Sequence, residues 1–142
     1  MKKEVGIGPR ISEASAKWLE SNFETRNGGA SFVLEAFPPL YRRTLQSALA
    51  RLTDGEKKLI IDLHNAYAMT RQILGQVVIL QVSDGIELEG MDKKWGVDKK
   101  HLLDTLHSMH PFDLACIEIW ATAFWQAGHW DAPDAIEKYI KI

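Results

Sequence analysis

Apolar residues recur along most of this chain at intervals of three and four, the period of an α-helix. Ile11, Ala14, Trp18 and either Asn22 or Phe23 make the first such stripe, with Ser12 placed as N-cap and Glu13, Glu20 and Glu24 pointing away from it. "NGG" at 27–29 is expected to end that helix, since Gly and Asn accept the left-handed conformation that closes a C-terminus. A second helix is then expected to open near Ala30 or Ser31 and to carry Phe32, Val33 and Phe37. Pro38 and Pro39 interrupt it: each removes a helical hydrogen bond, and Pro38 disfavours helical geometry at Phe37. The pattern therefore predicts a break, with a short helix Ala30–Ala36 and a separate one from Pro39 to Arg51 that buries Leu45 and Leu49 against Trp18.

Beyond residue 52 the local signals are stronger. Thr53 and Glu56 form a capping box ahead of "KKLIIDLHNAYAMT". The stretch 76–90 reads two ways: Val77–Val82 with Ile86 and Leu88 could make a hairpin, or one face of a helix that runs on to Gly96. Helix is the preferred reading, because an isolated two-stranded hairpin needs a face to pack on. Asp98 should cap the next helix, and Pro111 should sit at the first position of the one after, with Asp113 in its first turn. That last helix, "DLACIEIWATAFWQAG", is apolar nearly all round, which suits a central position or a covered one. Pro133 opens a final short helix. The expected fold is mostly α, a compact multi-helix domain of six or seven helices with a short N-terminal β-strand as a candidate element. Residues 1–52 form an N-terminal strand-helix-turn-helix segment, and 53–142 a helical body packed with it as one unit.

With 142 residues, 46% hydrophobic and 25% charged, the chain is long and apolar enough to bury a core without disulfides, which a single cysteine could not supply anyway. No apolar run is long enough for a membrane span, so no membrane partner is expected and a cytoplasmic setting is the simplest expectation. The net charge of −2 is unevenly divided. Residues 1–52 hold 8 Lys/Arg against 5 Asp/Glu, a net of +3, and residues 53–142 hold 9 against 14, a net of −5. An N-terminal part that could meet phosphate sits on a body that would not.

The usual catalytic signatures are missing: no GxSxG, P-loop, GxGxxG or HExxH occurs. Cys116 lies in the apolar helix without a local basic neighbour and should be an inert thiol. His101, His107 and His110 precede it, but no second paired ligand element accompanies them, so neither a metal nor any other cofactor is expected. The expectation is a protein that is not an enzyme. Aromatic residues crowd the last third. Trp120, Trp125 and Trp130 read first as core and second as a partner-binding patch, and the offset between Trp120 and Trp125 around a helix should turn one of them toward another helix or subunit.

The opening segment resembles the ribbon-helix-helix family of bacterial DNA-binding regulators over residues 3–45. "EVGI" would be the strand, with Val5 and Ile7 facing inward; "SEASAKWLESNFETR" looks like the first helix, with Trp18-Leu19-Glu20 similar to the family's apolar-apolar-acidic stretch; "NGGAS" would be the turn. The resemblance implies a homodimer whose paired strands enter the major groove. It also implies phosphate contacts from Lys2, Lys3 and Arg10 and from the amides of Gly29, Ala30 and Ser31 at the start of the second helix. The outward strand positions fall on Gly6, Gly8 and Arg10, leaving Arg10 nearly alone to read base edges. Two functions follow as expectations: a small DNA-binding regulatory protein acting as a dimer through its N-terminal segment, or a protein-binding inhibitor or adaptor that uses the aromatic C-terminal surface without touching nucleic acid.

Overall fold

Ser12 begins the first helix by accepting the amide of Ser15 at 3.1 Å, which opens α1 (Glu13–Asn22). The computed structural model describes residues 11–66, 75–85 and 90–141. Lys2, Lys3, Arg10 and the expected strand lie outside those residues, and no strand occurs among the described ones. The chain divides into two compact units, residues 1–40 and 41–142, so the division falls inside the second helix and not at residue 52.

In the first unit α1 stops at Phe23, whose extended backbone (φ −132°) takes the chain out of the helix. The second helix, α2 (Arg26–Leu49), starts at Arg26, several residues earlier than the sequence pattern indicates. "NGG" therefore lies in the first turn of α2 and does not terminate α1. Its glycines serve close approach: a Cβ on Gly29 would come within 2.5 Å of the Phe23 ring, so glycine lets that ring lie against the start of α2. Phe23 in turn meets Trp18 edge-on at 5.8 Å and Phe32 at 5.8 Å.

The expected break at Pro38-Pro39 does not occur; α2 runs through both prolines. Each proline deprives a carbonyl one turn back, on Leu34 and Glu35, of its amide partner. Both of those residues and both prolines are exposed, so water can take the freed carbonyls and the helix need not stop. Leu45 and Leu49 are buried in the core of the second unit, while Trp18 is 54% exposed.

Among its described residues the second unit holds the end of α2 and six further helices. They are α3 (Asp54–Ala66), α4 (Val77–Gly85), α5 (Met91–Trp95), α6 (Lys99–His107), α7 (Pro111–Gln126) and α8 (Ala135–Tyr139). A 3-10 turn, His129–Asp131, links the last two. Their starts follow local rules. Glu56 closes the capping box, accepting the Thr53 amide at 2.8 Å while the Thr53 hydroxyl accepts its own at 3.2 Å. Asp98 caps α6, and His110 caps α7 with Pro111 at the first position. Residues 77–85 are helical, as preferred, but that helix ends at Gly85; α5 is a separate short helix closed by the left-handed Gly96 (φ 65°).

α3 and α7 are the central pair: α3 packs on α4, α5, α7 and α8, and α4 packs on α6 and α7. Leu59, Ile61, Leu63, Leu102, Leu106, Ile117 and Phe124 are wholly buried there. α7 occupies the central place its apolar sequence calls for.

Candidate functional site

Three places could carry function, and each is built differently. The first is one face of the α1–α2 hairpin. Its side chains leave a groove of about 490 Å³ lined by Ile11, Ala14, Ser15, Trp18, Leu19, Ala30, Val33 and Leu34. Ile11, Trp18, Phe32, Val33, Leu34 and Leu40 are all exposed, and Leu19 is the only buried hydrophobic side chain among residues 11–40. Ile11, Trp18, Val33 and Leu34 are both exposed and part of the groove lining, so the groove is an apolar surface open to solvent.

The second place is the start of α2. Thr25 closes it: its hydroxyl accepts the Gly28 amide at 3.0 Å, and its carbonyl accepts the Gly29 amide at 3.0 Å. Gly29, Ala30 and Ser31 thus lie inside the helix and do not present the free amides that the resemblance assigned to them; their donors are used within the chain. Arg26, 3.8 Å from Glu20, is the basic side chain that stands at this helix start.

The third is a cleft of about 610 Å³ in the second unit, between the end of α7, the 3-10 turn and α8, with Trp95 on one wall. Of the three tryptophans expected at a partner surface, Trp120 is not there. It is 1% exposed and stacks on Tyr139 at 5.3 Å, so it belongs to the core. Trp125 and Trp130 do line the cleft, their rings 6.3 Å apart. Trp125 is held by donating its indole N–H to the Ile61 carbonyl at 2.9 Å, and Trp130 stands 52% exposed. Three acidic residues, Asp131, Asp134 and Glu137, line the same space. Sequence reading missed the cleft because Trp95 and Asp131 come together only through the packing of α5 and α8 on α3.

The remaining chemistry-bearing side chains are engaged in structure. Cys116 is fully buried, and burial pushes its thiol above the usual range. His110 Nδ1 accepts the Phe112 amide at 3.1 Å as the cap of α7. His101 Nδ1 lies 2.8 Å from Glu56, which raises the imidazole pKa. His64 Nε2 meets the Thr122 hydroxyl at 2.7 Å, and burial lowers its pKa. Glu118, 1% exposed, accepts the amides of Gly75 at 2.6 Å and Val78 at 2.9 Å and so caps α4. Gly75 reaches it with a left-handed backbone (φ 95°), where any side chain would also strike the Pro111 carbonyl. Among the described residues no group of three or more His, Cys, Asp or Glu side chains is placed to hold a metal ion. No helix among them is long and apolar enough to cross a membrane.

No family model matches the chain, and no curated protein or solved structure is significantly similar to it.

Proposed function

We propose that this chain is a non-catalytic regulatory protein that works as a dimer joined through the α1–α2 hairpin, with the basic N-terminal segment of the dimer meeting DNA. The open apolar face of the hairpin carries the reading: Trp18, Phe32, Val33 and Leu34 stand in water with one buried hydrophobic residue, Leu19, behind them. A second copy suits this face because it holds both ridges and hollows. Trp18 and Leu34 project, while Ala14 and Ala30 leave the groove between them, so a twofold axis can set the projections of one copy into the hollows of the other. The DNA contact rests on Lys2, Lys3 and Arg10 just ahead of the hairpin, together with Arg26 at the start of α2 in place of Gly29, Ala30 and Ser31.

Light scattering at tens of micromolar should return twice the chain mass of 16.1 kDa, and Trp18→Asp should return a monomer. Binding to generic duplex DNA should weaken steeply with salt, as counterions released by Lys and Arg make it do. A monomer mass for the parent chain overturns the dimer; a salt slope near zero overturns the DNA contact.

A second reading, a protein-binding adaptor or inhibitor without nucleic-acid contact, is favoured by one observation: the exposed Trp130 ring beside Trp125 on the C-terminal surface.

A further inference from the structure

The cleft beside α8 combines two features that separately would mean little. Its aromatic wall is made of Trp125 and Trp130, the first fixed in place by its hydrogen bond to Ile61 and the second open to solvent. Its polar wall is acidic, with no Lys or Arg among the residues that line it. Two of the three carboxylates already have cations: Asp134 pairs with Lys138 at 2.9 Å and Glu137 with Lys58 at 3.1 Å. Asp131 has no ion pair among the described residues, and it follows Trp130 directly in the 3-10 turn. One carboxylate without an ion pair among the described residues therefore lines the same cleft as an exposed indole.

The same wall shows what this combination attracts. The Trp95 ring is covered by the molecule's own lysines, with Lys94 Nζ 4.8 Å and Lys58 Nζ 5.5 Å from its centroid. A cation over an indole is held by the ring's negative face, and a nearby carboxylate adds to the attraction. Trp130 and Asp131 bring the same two kinds of group, an indole and a carboxylate, to the cleft.

We infer that this cleft receives an arginine or lysine side chain from a basic segment of a partner protein, its cationic head on Asp131 and its stem along Trp130 and Trp125. The inference deepens the second reading above and does not depend on the hairpin. The size of the cleft argues for a peptide over an isolated ion: about 610 Å³ is several times the volume of one side chain, so flanking residues have room. Arginine suits the site best, because its flat, weakly hydrated guanidinium can stack on an indole while its edge bonds a carboxylate.

The test is a tryptophan-fluorescence titration with a blocked Gly-Arg-Gly peptide and with the same peptide carrying citrulline, which keeps the shape and removes the charge. The arginine peptide should saturate the signal and bind about tenfold more tightly than the citrulline one. Asp131→Asn should remove most of that preference and of the salt dependence, and Trp130→Ala should abolish binding. Both residues are exposed, so circular dichroism should show both variants folded like the parent. Binding should survive Trp18→Asp, which separates failure of the cleft from failure of the dimer. Equal affinity for the two peptides, or no effect of Asp131→Asn, would overturn the inference. So would tetramethylammonium binding as tightly as the arginine peptide, since the occupant would then be a small quaternary cation.

Discussion

The two units of this chain use similar helices in opposite ways. Among the described residues of 41–141 nearly every large apolar side chain has found cover: Leu59, Ile61, Leu63, Leu106, Ile117 and Phe124 are wholly buried, and Trp130 is the exception on the surface. In residues 11–40 the proportion is reversed, with Leu19 alone buried and six large hydrophobic residues in water. Apolar area removed from water is what offsets the loss of chain entropy on folding, at about 25 cal/mol per Å². The body meets that cost from its own residues. The hairpin does not, and α1, with 10 residues, has little helical stability of its own to fall back on. In the dimer proposed above, a second copy would supply the missing cover.

The largest effects should separate the two units. Phe124→Ala, which empties a site touched by Trp125 and Tyr139, should cost about 3–5 kcal/mol in denaturant unfolding of the body. Trp18→Ser, an aromatic truncation of similar size, should leave that unfolding within about 0.5 kcal/mol while dissociating the dimer. If Trp18→Ser destabilised the body as much as Phe124→Ala, the contrast would be gone.

Next in size is Glu118. Glu118→Ala strips two buried amides of their acceptor and should cost about 2–3 kcal/mol, detected as faster hydrogen exchange in α4 ahead of the rest of the body. Thr53→Ala removes one arm of the α3 capping box and should cost about 1 kcal/mol by thermal or chemical unfolding.

The smallest effect is one of pH. The Glu56 carboxylate, first by hydrogen bond and then by charge, raises the pKa of His101 above its ordinary 6.5. A raised histidine pKa gives stability that is complete below the unfolded value and is lost as pH rises through the folded one. The body should therefore lose a little stability as pH rises above 6.5, and His101→Gln should flatten that part of the profile. His64 works the other way: burial lowers its pKa, so its contribution is complete above the unfolded value and is lost as pH falls from there through the folded one. The difference between parent and His101→Gln isolates the first effect; a difference that does not change with pH would contradict it.

What the sequence made legible follows the reach of the interactions. The Thr53–Glu56 box, the Asp98 cap, Pro111 at the start of α7 and Gly96 at the end of α5 all depend on neighbours within one turn, and all stand as read. The strong apolar period also gave the mostly helical fold. Pro38-Pro39 and "NGG" misled because their effect depends on surroundings. Exposed carbonyls let the prolines stay in the helix, and the Phe23 ring gives the glycines a different task. Trp120, set beside Trp125 in the sequence, goes to the core because its ring finds Tyr139, which lies beyond α7. Glu118 and the amides it caps are separated by 43 and 40 residues, and local pattern holds no trace of such a pairing.

In the proposed dimer the hairpin's order would depend on a second copy and the body's would not. Hydrogen exchange followed by mass spectrometry, at protein concentrations below and above the dimerisation midpoint, reads this directly. Protection in residues 13–37 should rise with concentration while protection in α3 and α7 stays constant. Protection in the hairpin that matched the body and did not change with concentration would contradict the account.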